Sequence, residues 1–417
     1  MIRPEYTNLI FLYLAEMVMA FCGYYVLMMA QNSSIKNLRA LFYIPARKSA
    51  TNAVQFGGLP LALIITASGL TLYFTHGIFP DLTATEKNLW LIGMLSGVGI
   101  IIYGYLDDKF ELRPVIKLAA QFTTISLFAL LGSRVVYPHF SAFAFLILSF
   151  YGLGLLNGGN LLDGLDTLMI KLGSVTYIQY ICLAFYFDTP SLLMTTGLCW
   201  VPLLVFYFFN REPAKIHLGE IGGSYLGFTH LILACQLFHL LTKSNQAPYH
   251  ASQFNAVFLA LMPLTLPMTE LGVSFLRRLM NGKSPFKGDK FHVHHILHNY
   301  WKMAPRHVAS WMAIGYFSAM MTAYAIGLFV HPFAGYLSGI CLVVGLYWSI
   351  GHSYWVGKDT IELSAKTVFD VIRKKDVVLI DTSMIDDFTL TILSDSDEKN
   401  CLDNEKLVES EKDQKVS

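Results

Sequence analysis

The run "NGGNLLDGLD" sets Asn157, Asn160, Asp163 and Asp166 at three-residue intervals, directly after an almost wholly apolar stretch. Oxygen-rich groups at this density suit hard cations and sugar hydroxyls. If a helix continues through them, Asn160 and Asp163 lie near one face; Gly158 and Gly159 leave a loop or broken helix equally open. The bland alternative is a polar turn between two apolar segments. Three further clusters carry comparable chemistry. "YLDDKFELRP" places Asp107 beside Asp108, with Lys117 a few residues on, and ionised carboxylates there can draw a divalent cation or hold a lysine. "NREPAKIHLGEIGGS" crowds Gly219, Gly222 and Gly223 around Glu220, a pattern that can expose N–H groups to phosphate oxygens where a helix begins. "SPFKGDKFHVHHIL" joins basic side chains around Asp289 to His292, His294 and His295. Zinc is one reading of the histidines, but no companion cysteine and no His-Glu-x-x-His pattern accompanies them, and a diphosphate suits the cationic surroundings better.

These groups need a frame, and the composition supplies it. With 54% hydrophobic and 14% charged residues among 417, the chain has more apolar surface than one soluble core could hide. An all-α, polytopic integral membrane protein is expected, with about eleven transmembrane helices of roughly 20 apolar residues each. They fall near 8–30, 53–74, 89–106, 116–132, 140–156, 172–187, 191–209, 221–241, 254–276, 309–330 and 333–355. The first lacks a basic flank and a small-residue cleavage site, so it reads as a retained anchor. The cysteines are scattered without metal-type spacing and read as small apolar residues. Lysine and arginine concentrate in alternate connections, which predicts N-terminus out and C-terminus in. All four polar clusters then fall on the cytoplasmic side. Residues 1–357 are expected to form the membrane domain, and 358–417, rich in charge and poor in aromatics, a mostly disordered cytoplasmic tail.

In these clusters the chain resembles the polyprenyl-phosphate N-acetylhexosamine-1-phosphate transferases. The resemblance rests on Gly57-Gly58 after a basic loop, "DDKFELRPVIK", "NGGNLLDGLD", "PAKIHLGE" and "SPFKGDKFHVHH", in family order from about Gly57 to His295. His-Val-His-His looks closer to the WecA type, which starts O-antigen, than to the peptidoglycan enzyme. The resemblance implies transfer of a sugar 1-phosphate, N-acetylglucosamine or a related N-acetylhexosamine, from a UDP-sugar to undecaprenyl phosphate. UMP is released, and Mg²⁺ or Mn²⁺ is required. It implies a bacterial inner membrane location with the site facing the cytoplasm. Asp107, Asp108 and Asp163 would be catalytic, Asp163 and Glu220 would hold metal, and Lys117, Asn157, Asn160, Asp166, His292, His294 and His295 would bind substrate. Its relatives admit a homodimer. No nucleic-acid motif is present, so the basic run from Arg277 to Lys302 is expected to meet phosphates of substrate or lipid.

The chain also departs from the family pattern. Glu220 stands where the family carries a metal-binding aspartate, Gly223 where it carries serine, and Thr167 where it carries glycine. A divergent, inactive member is therefore one alternative. A membrane transporter is another, because Glu16 and Glu270 lie inside expected spans, where ionisable residues are functional candidates.

Overall fold

The computed structural model describes residues 4–31, 53–75, 82–136, 142–243, 253–285 and 291–351. Helices dominate, and among the described residues the only β pairing is an isolated parallel bridge between Val54 and Ile216. The long helices are α1 (Pro4–Gln31), α2 (Gly58–Phe74), α3 (Ala84–Phe110), α4 (Pro114–Val136), α5 (Ala142–Leu162), α6 (Leu168–Tyr186), α7 (Pro190–Asn210) and α8 (Gly219–Lys243). They continue as α9 (Gln253–Leu261), α10 (Thr265–Met280), α11 (Pro305–Phe329) and α12 (Pro332–Gly351). Among the described residues, ten helical stretches are long and apolar enough to cross a membrane, with α9 and α10 counted as one. Helix α2 is the eleventh apolar helix, but its 17 residues span only about 25 Å, short of a hydrocarbon core of about 30 Å. The polytopic helical architecture expected from composition is therefore present.

Local sequence explains the boundaries. Thr83 and Glu86 form a reciprocal capping box that starts α3. Helix α3 ends at Glu111, whose φ of 52° is left-handed, and Pro114 opens α4. Pro263 lies in a 3-10 turn, Met262–Leu264, that interrupts the expected span near 254–276.

Helix α8 is the centre of the bundle. Of its apolar window 83% is buried, against 22% for α1 and 17% for α12. It packs against α2, α3, α5 and α9. Its neighbours turn large apolar side chains outward, among them Leu95 and Ile102 of α3, Phe122 of α4 and Phe150 of α5. That surface suits lipid, not water.

Of the two conformations left open at Gly158-Gly159, the continuous helix is the one present. Helix α5 runs through both glycines to Leu162. Helical geometry persists because the missing side chains admit a neighbour. A Cβ on Gly158 would stand 2.4 Å from the Pro267 carbonyl oxygen, and one on Gly159 would stand 2.4 Å from that of Gly223. The basic loop before Ala53, Lys287, Asp289 and Lys290, and the tail from Lys358 lie outside the described residues.

Candidate functional site

Glu220 opens the first turn of α8 and gathers three donors. Lys117 Nζ, from the start of α4, lies 2.6 Å from its Oε2. Asn160 Nδ2, from the end of α5, donates to its Oε1 at 2.5 Å, and Ser224 Oγ donates to the same oxygen at 3.0 Å. Lys117 also reaches Asp107 Oδ2 at 3.5 Å, so one ammonium links two acidic groups. Asp107 Oδ1 in turn accepts from the Leu112 amide and shapes the turn out of α3.

Asp108 and Asp163 occupy the exposed amides at the head of α8. Asp108 accepts from the Glu220 amide at 2.9 Å and from that of Ile221 at 3.4 Å. Asp163 accepts a hydrogen bond from the Gly219 amide. The glycine-rich turn thus offers its N–H groups to the chain's own carboxylates rather than leaving them open to phosphate oxygens, because a helix N-terminus attracts whichever anion is nearest. Gly219 is required here: its φ is +73°, and a Cβ would stand 2.8 Å from Asp108 Oδ2. The segment before it is steadied by the Gly57 amide on His217 O at 2.9 Å and the Gly58 amide on Leu218 O at 2.7 Å.

Asp163 follows the end of α5, and its environment is electrically crowded. Burial first, and then the Asp108 carboxylate, hold its carboxyl well above the usual carboxylate range, with Asp166 and Glu220 adding to the effect. On the neighbouring residue, a Cβ on Gly164 would stand 2.2 Å from His294 Nε2, so the His294 imidazole lies directly over this turn. His294 is fully buried, and neither ring nitrogen has a hydrogen-bond partner among the described residues. Burial, then the adjacent His295 and His292, hold it well below the usual imidazole range.

Asp107, Asp108, Lys117, Asn160, Asp163, Glu220 and His294 therefore converge at one end of the bundle. The remaining expected residues stand at its edge. Asn157 lies one turn deeper and donates to Gln121 Oε1 of α4 at 3.0 Å. Asp166 faces the segment between α7 and α8, accepting from the Ala214 amide at 3.0 Å and approaching His217 Nδ1 at 3.7 Å. His295 packs its ring 4.3 Å from that of His294, and His292 pairs with Glu270 at 2.6 Å.

Sequence reasoning missed Ser224, Gln121 and Glu270 as members of these networks. Two of the three had a readable signal: Ser224 lies one turn after Glu220, and Gln121 one turn after Lys117. The departures from the family pattern also acquire a shape. A Cβ on Gly223 would stand 2.1 Å from Asn160 Oδ1, while the next residue, Ser224, supplies a hydroxyl to Glu220 and accepts from Asn160 at 3.0 Å. Thr167 adopts φ 65°, the left-handed backbone that favours glycine.

A hard divalent cation needs oxygen ligands, and Asp108, Asp163 and Glu220 offer only oxygen. Asp163 bears the repulsion of three other carboxylates, which a dication would relieve. In chemistry the residues fit, although among the described residues no group of three metal-type side chains is drawn together as a preformed site.

Residues 90–238 match the model for glycosyl transferase family 4. The molecule is thus a polytopic helical membrane protein in which one segment matches the glycosyl transferase family 4 model. That segment contains Asp107, Asp108, Lys117, Asn157, Asn160, Asp163, Asp166 and Glu220, while Glu270 and the histidines of 292–295 lie beyond it. Its relatives sharpen the class. The chain is 26% identical over 252 residues to a Bacillus subtilis (strain 168) protein named "Probable undecaprenyl-phosphate N-acetylglucosaminyl 1-phosphate transferase", covering 58% of this chain and 65% of that one. It is 24% identical over 288 residues to the undecaprenyl-phosphate alpha-N-acetylglucosaminyl 1-phosphate transferase of Escherichia coli (strain K12), covering 63% and 74%. It is 27% identical over 282 residues to the decaprenyl-phosphate N-acetylglucosaminephosphotransferase of Mycobacterium tuberculosis (strain ATCC 25618 / H37Rv), covering 59% and 66%. The chain spans just under two thirds of the first of these relatives.

Proposed function

We propose that this protein transfers an N-acetylhexosamine 1-phosphate, with N-acetylglucosamine favoured, from a UDP-sugar to a polyprenyl phosphate at the cytoplasmic face of a bacterial inner membrane. The observation that carries the proposal is the convergence of Asp107, Asp108, Lys117, Asn160, Asp163, Glu220 and His294, from distant stretches of chain, at one end of an apolar bundle. The names of the relatives supply the substrates.

A phosphate oxygen of the lipid attacks the phosphorus that bears the sugar. A new P–O–P link forms, the old one to the uridine phosphate breaks, and UMP leaves with the electron pair. The lipid phosphomonoester, with a second pKa of about 6, is largely dianionic at neutral pH and needs little help from a base. The protein's task is then to bring two polyanions together. Lys117 supplies positive charge beside Asp107 and Glu220, and His294, held neutral, has one ring N–H to donate to a phosphate oxygen. Asp108 keeps α8 registered against α3 through its amide bonds. A Mg²⁺ or Mn²⁺ ion, when held by Asp163 and Glu220, would offset the negative charge of the diphosphate.

The test is transfer of label from UDP-N-acetylglucosamine to undecaprenyl phosphate by the purified full-length chain with Mg²⁺. Lipid-linked label and equimolar UMP are expected, and a panel of UDP-sugars then ranks the donor. Absence of both products with every donor would overturn the reading.

A further inference from the structure

Glu270 sits in the body of α10, 1% exposed, within a stretch apolar enough to cross a membrane. A carboxylate there is costly unless it is paired. Its partner comes from the loop that follows α10. Glu270 Oε1 lies 2.6 Å from His292 Nδ1, and Ser274 Oγ, one turn along the same helix, lies 3.3 Å from the same nitrogen. Arg277 Nη1 ties the adjoining Phe291 carbonyl back to α10, and Tyr347 of α12 lies beside Glu270. A carboxylate on Nδ1 places a proton there and stops the ring from rotating.

A fixed His292 in turn sets the position of His294. The two rings stack with centroids 5.5 Å apart and planes 12° apart. His294, pressed between that stack and Gly164, is the ring whose buried nitrogens have no partner among the described residues. The short helical stretch that carries His294 runs on to Tyr300 and is anchored on one side by Val293 and Leu297 against Val308 and Leu165; the Glu270–His292 pair ties its start to α10.

We propose that Glu270 is a positioning residue: by gripping His292 Nδ1 it holds the imidazole stack that sets His294 over Gly164, beside Asp163, where diphosphate oxygens of the donor would be the missing partners. The proposal rests on the transferase reading. It also gives the intramembrane carboxylate that suggested a transporter a role within the site.

A double-mutant cycle of Glu270→Gln and His292→Gln in the purified full-length chain tests it, with kcat, KM for UDP-N-acetylglucosamine and thermal midpoint measured together. Each single change should lower kcat/KM at least ~10-fold, the scale seen when an outer orienting partner is lost. Most of that loss should appear as a higher KM for the donor. The double variant should fall within about 3-fold of His292→Gln alone, since Glu270 then has nothing left to orient. Glu270→Asp should recover part of the loss. Losses that multiply, or a Glu270→Gln protein with wild-type KM, would overturn the proposal. Should the variants fail to fold, ¹⁵N-histidine spectra of the wild-type protein decide: an imidazole protonated at Nδ1 and strongly hydrogen-bonded is expected, and its absence refutes the pairing. Those spectra also separate the two ideas, because an inactive wild type removes the transferase reading while leaving the Glu270–His292 pairing to be judged directly.

Discussion

Helix α3 carries a buried acidic centre near each end, about 30 Å apart, and the two are built on opposite principles. Near its start, Glu86 accepts from the Thr83 amide and hydroxyl on one oxygen, and from Ser191 Oγ at 2.6 Å and Gln236 Nε2 at 2.8 Å on the other. Gln236 Oε1 then accepts from Trp90 Nε1 and Thr195 Oγ1. The set is closed: one carboxylate is surrounded by donors that lock α3, α7 and α8 together. At the other end, Asp107 and Asp108 face Asp163 and Glu220, and acidic groups accumulate around one lysine. A saturated carboxylate is a clasp, whereas carboxylates that repel one another are kept for something that arrives.

The sharpest way to break this comparison is to neutralise one member of each centre. Glu220→Gln keeps the shape and the bonds to Asn160 and Ser224 but removes the charge facing Lys117. Transfer activity should fall by about 10²-fold or more, as when a charge-stabilising group is lost, while the thermal midpoint changes little. EDTA should abolish the wild-type activity, and Mg²⁺ should restore it. An active Glu220→Gln protein, or activity indifferent to chelation, would remove the acidic end from the chemistry.

At the clasp the expectation reverses. Glu86→Ala strands Ser191 and Gln236 in a buried setting, which should cost about 3 kcal/mol of stability. Turnover per folded molecule should remain near that of the wild type. Thermal denaturation in detergent, read beside specific activity, separates the two. A large drop in turnover without loss of stability would mean that the ends are coupled.

How much of this could be read beforehand differs between the ends. Asp107, Asp108, Asn160, Asp163 and Glu220 were legible because polar groups interrupt apolar runs abruptly, and lysine and arginine counts placed the interruptions on one side. The clasp was not. Glu86 and Lys87 look like loop charges, so the span was expected to begin near 89, although Thr83 and Glu86 have the spacing of a capping box. The joining of Glu86 to Gln236 across 150 residues is a packing fact with no local signature. The same holds for Glu270 and His292: each was visible, but their pairing depends on a loop folding back onto α10. The choice between helix and break at Gly158-Gly159 could not be read for a related reason, since glycine there serves the approach of Gly223 and Pro267 rather than a turn.

A weaker effect tests the histidines that border the acidic end. In the folded chain burial keeps His294 neutral well below the usual imidazole range, and burial also lowers His217 despite Asp166 beside it. An unfolded chain takes up those protons at about pH 6.5. Below that pH the unfolded state therefore binds more protons, and stability falls as pH falls, by at most ~1.4 kcal/mol per unit for each group; above it the stability is fully present. Asp163, held well above the usual carboxylate range, works in the opposite direction over the same window, so the readout is a difference between proteins. With thermal midpoints measured between about pH 8 and 5, His294→Gln should lose less stability on the acid side than the wild type. An unchanged slope in that variant would show that His294 is not held neutral.

The smallest expected effect concerns the join between α5 and α6. Thr167, at φ 65°, is a β-branched residue in a backbone that disfavours it, and its buried hydroxyl has no hydrogen-bond partner among the described residues. Its amide is nonetheless needed, because it donates to Asn210 Oδ1 at 2.8 Å, and Asn210 in turn holds the Ile216 carbonyl. Glycine keeps that amide and removes the Cβ strain of about 1–2 kcal/mol, against a loss of about 0.5–1 kcal/mol from the freer unfolded chain. Thr167→Gly should thus stabilise the protein by roughly 0.5–1 kcal/mol, a gain readable in the thermal midpoint. If glycine destabilises instead, the threonine side chain holds the turn beside Asp166 by packing, and this departure from the family pattern would be a structural adaptation rather than a tolerated strain.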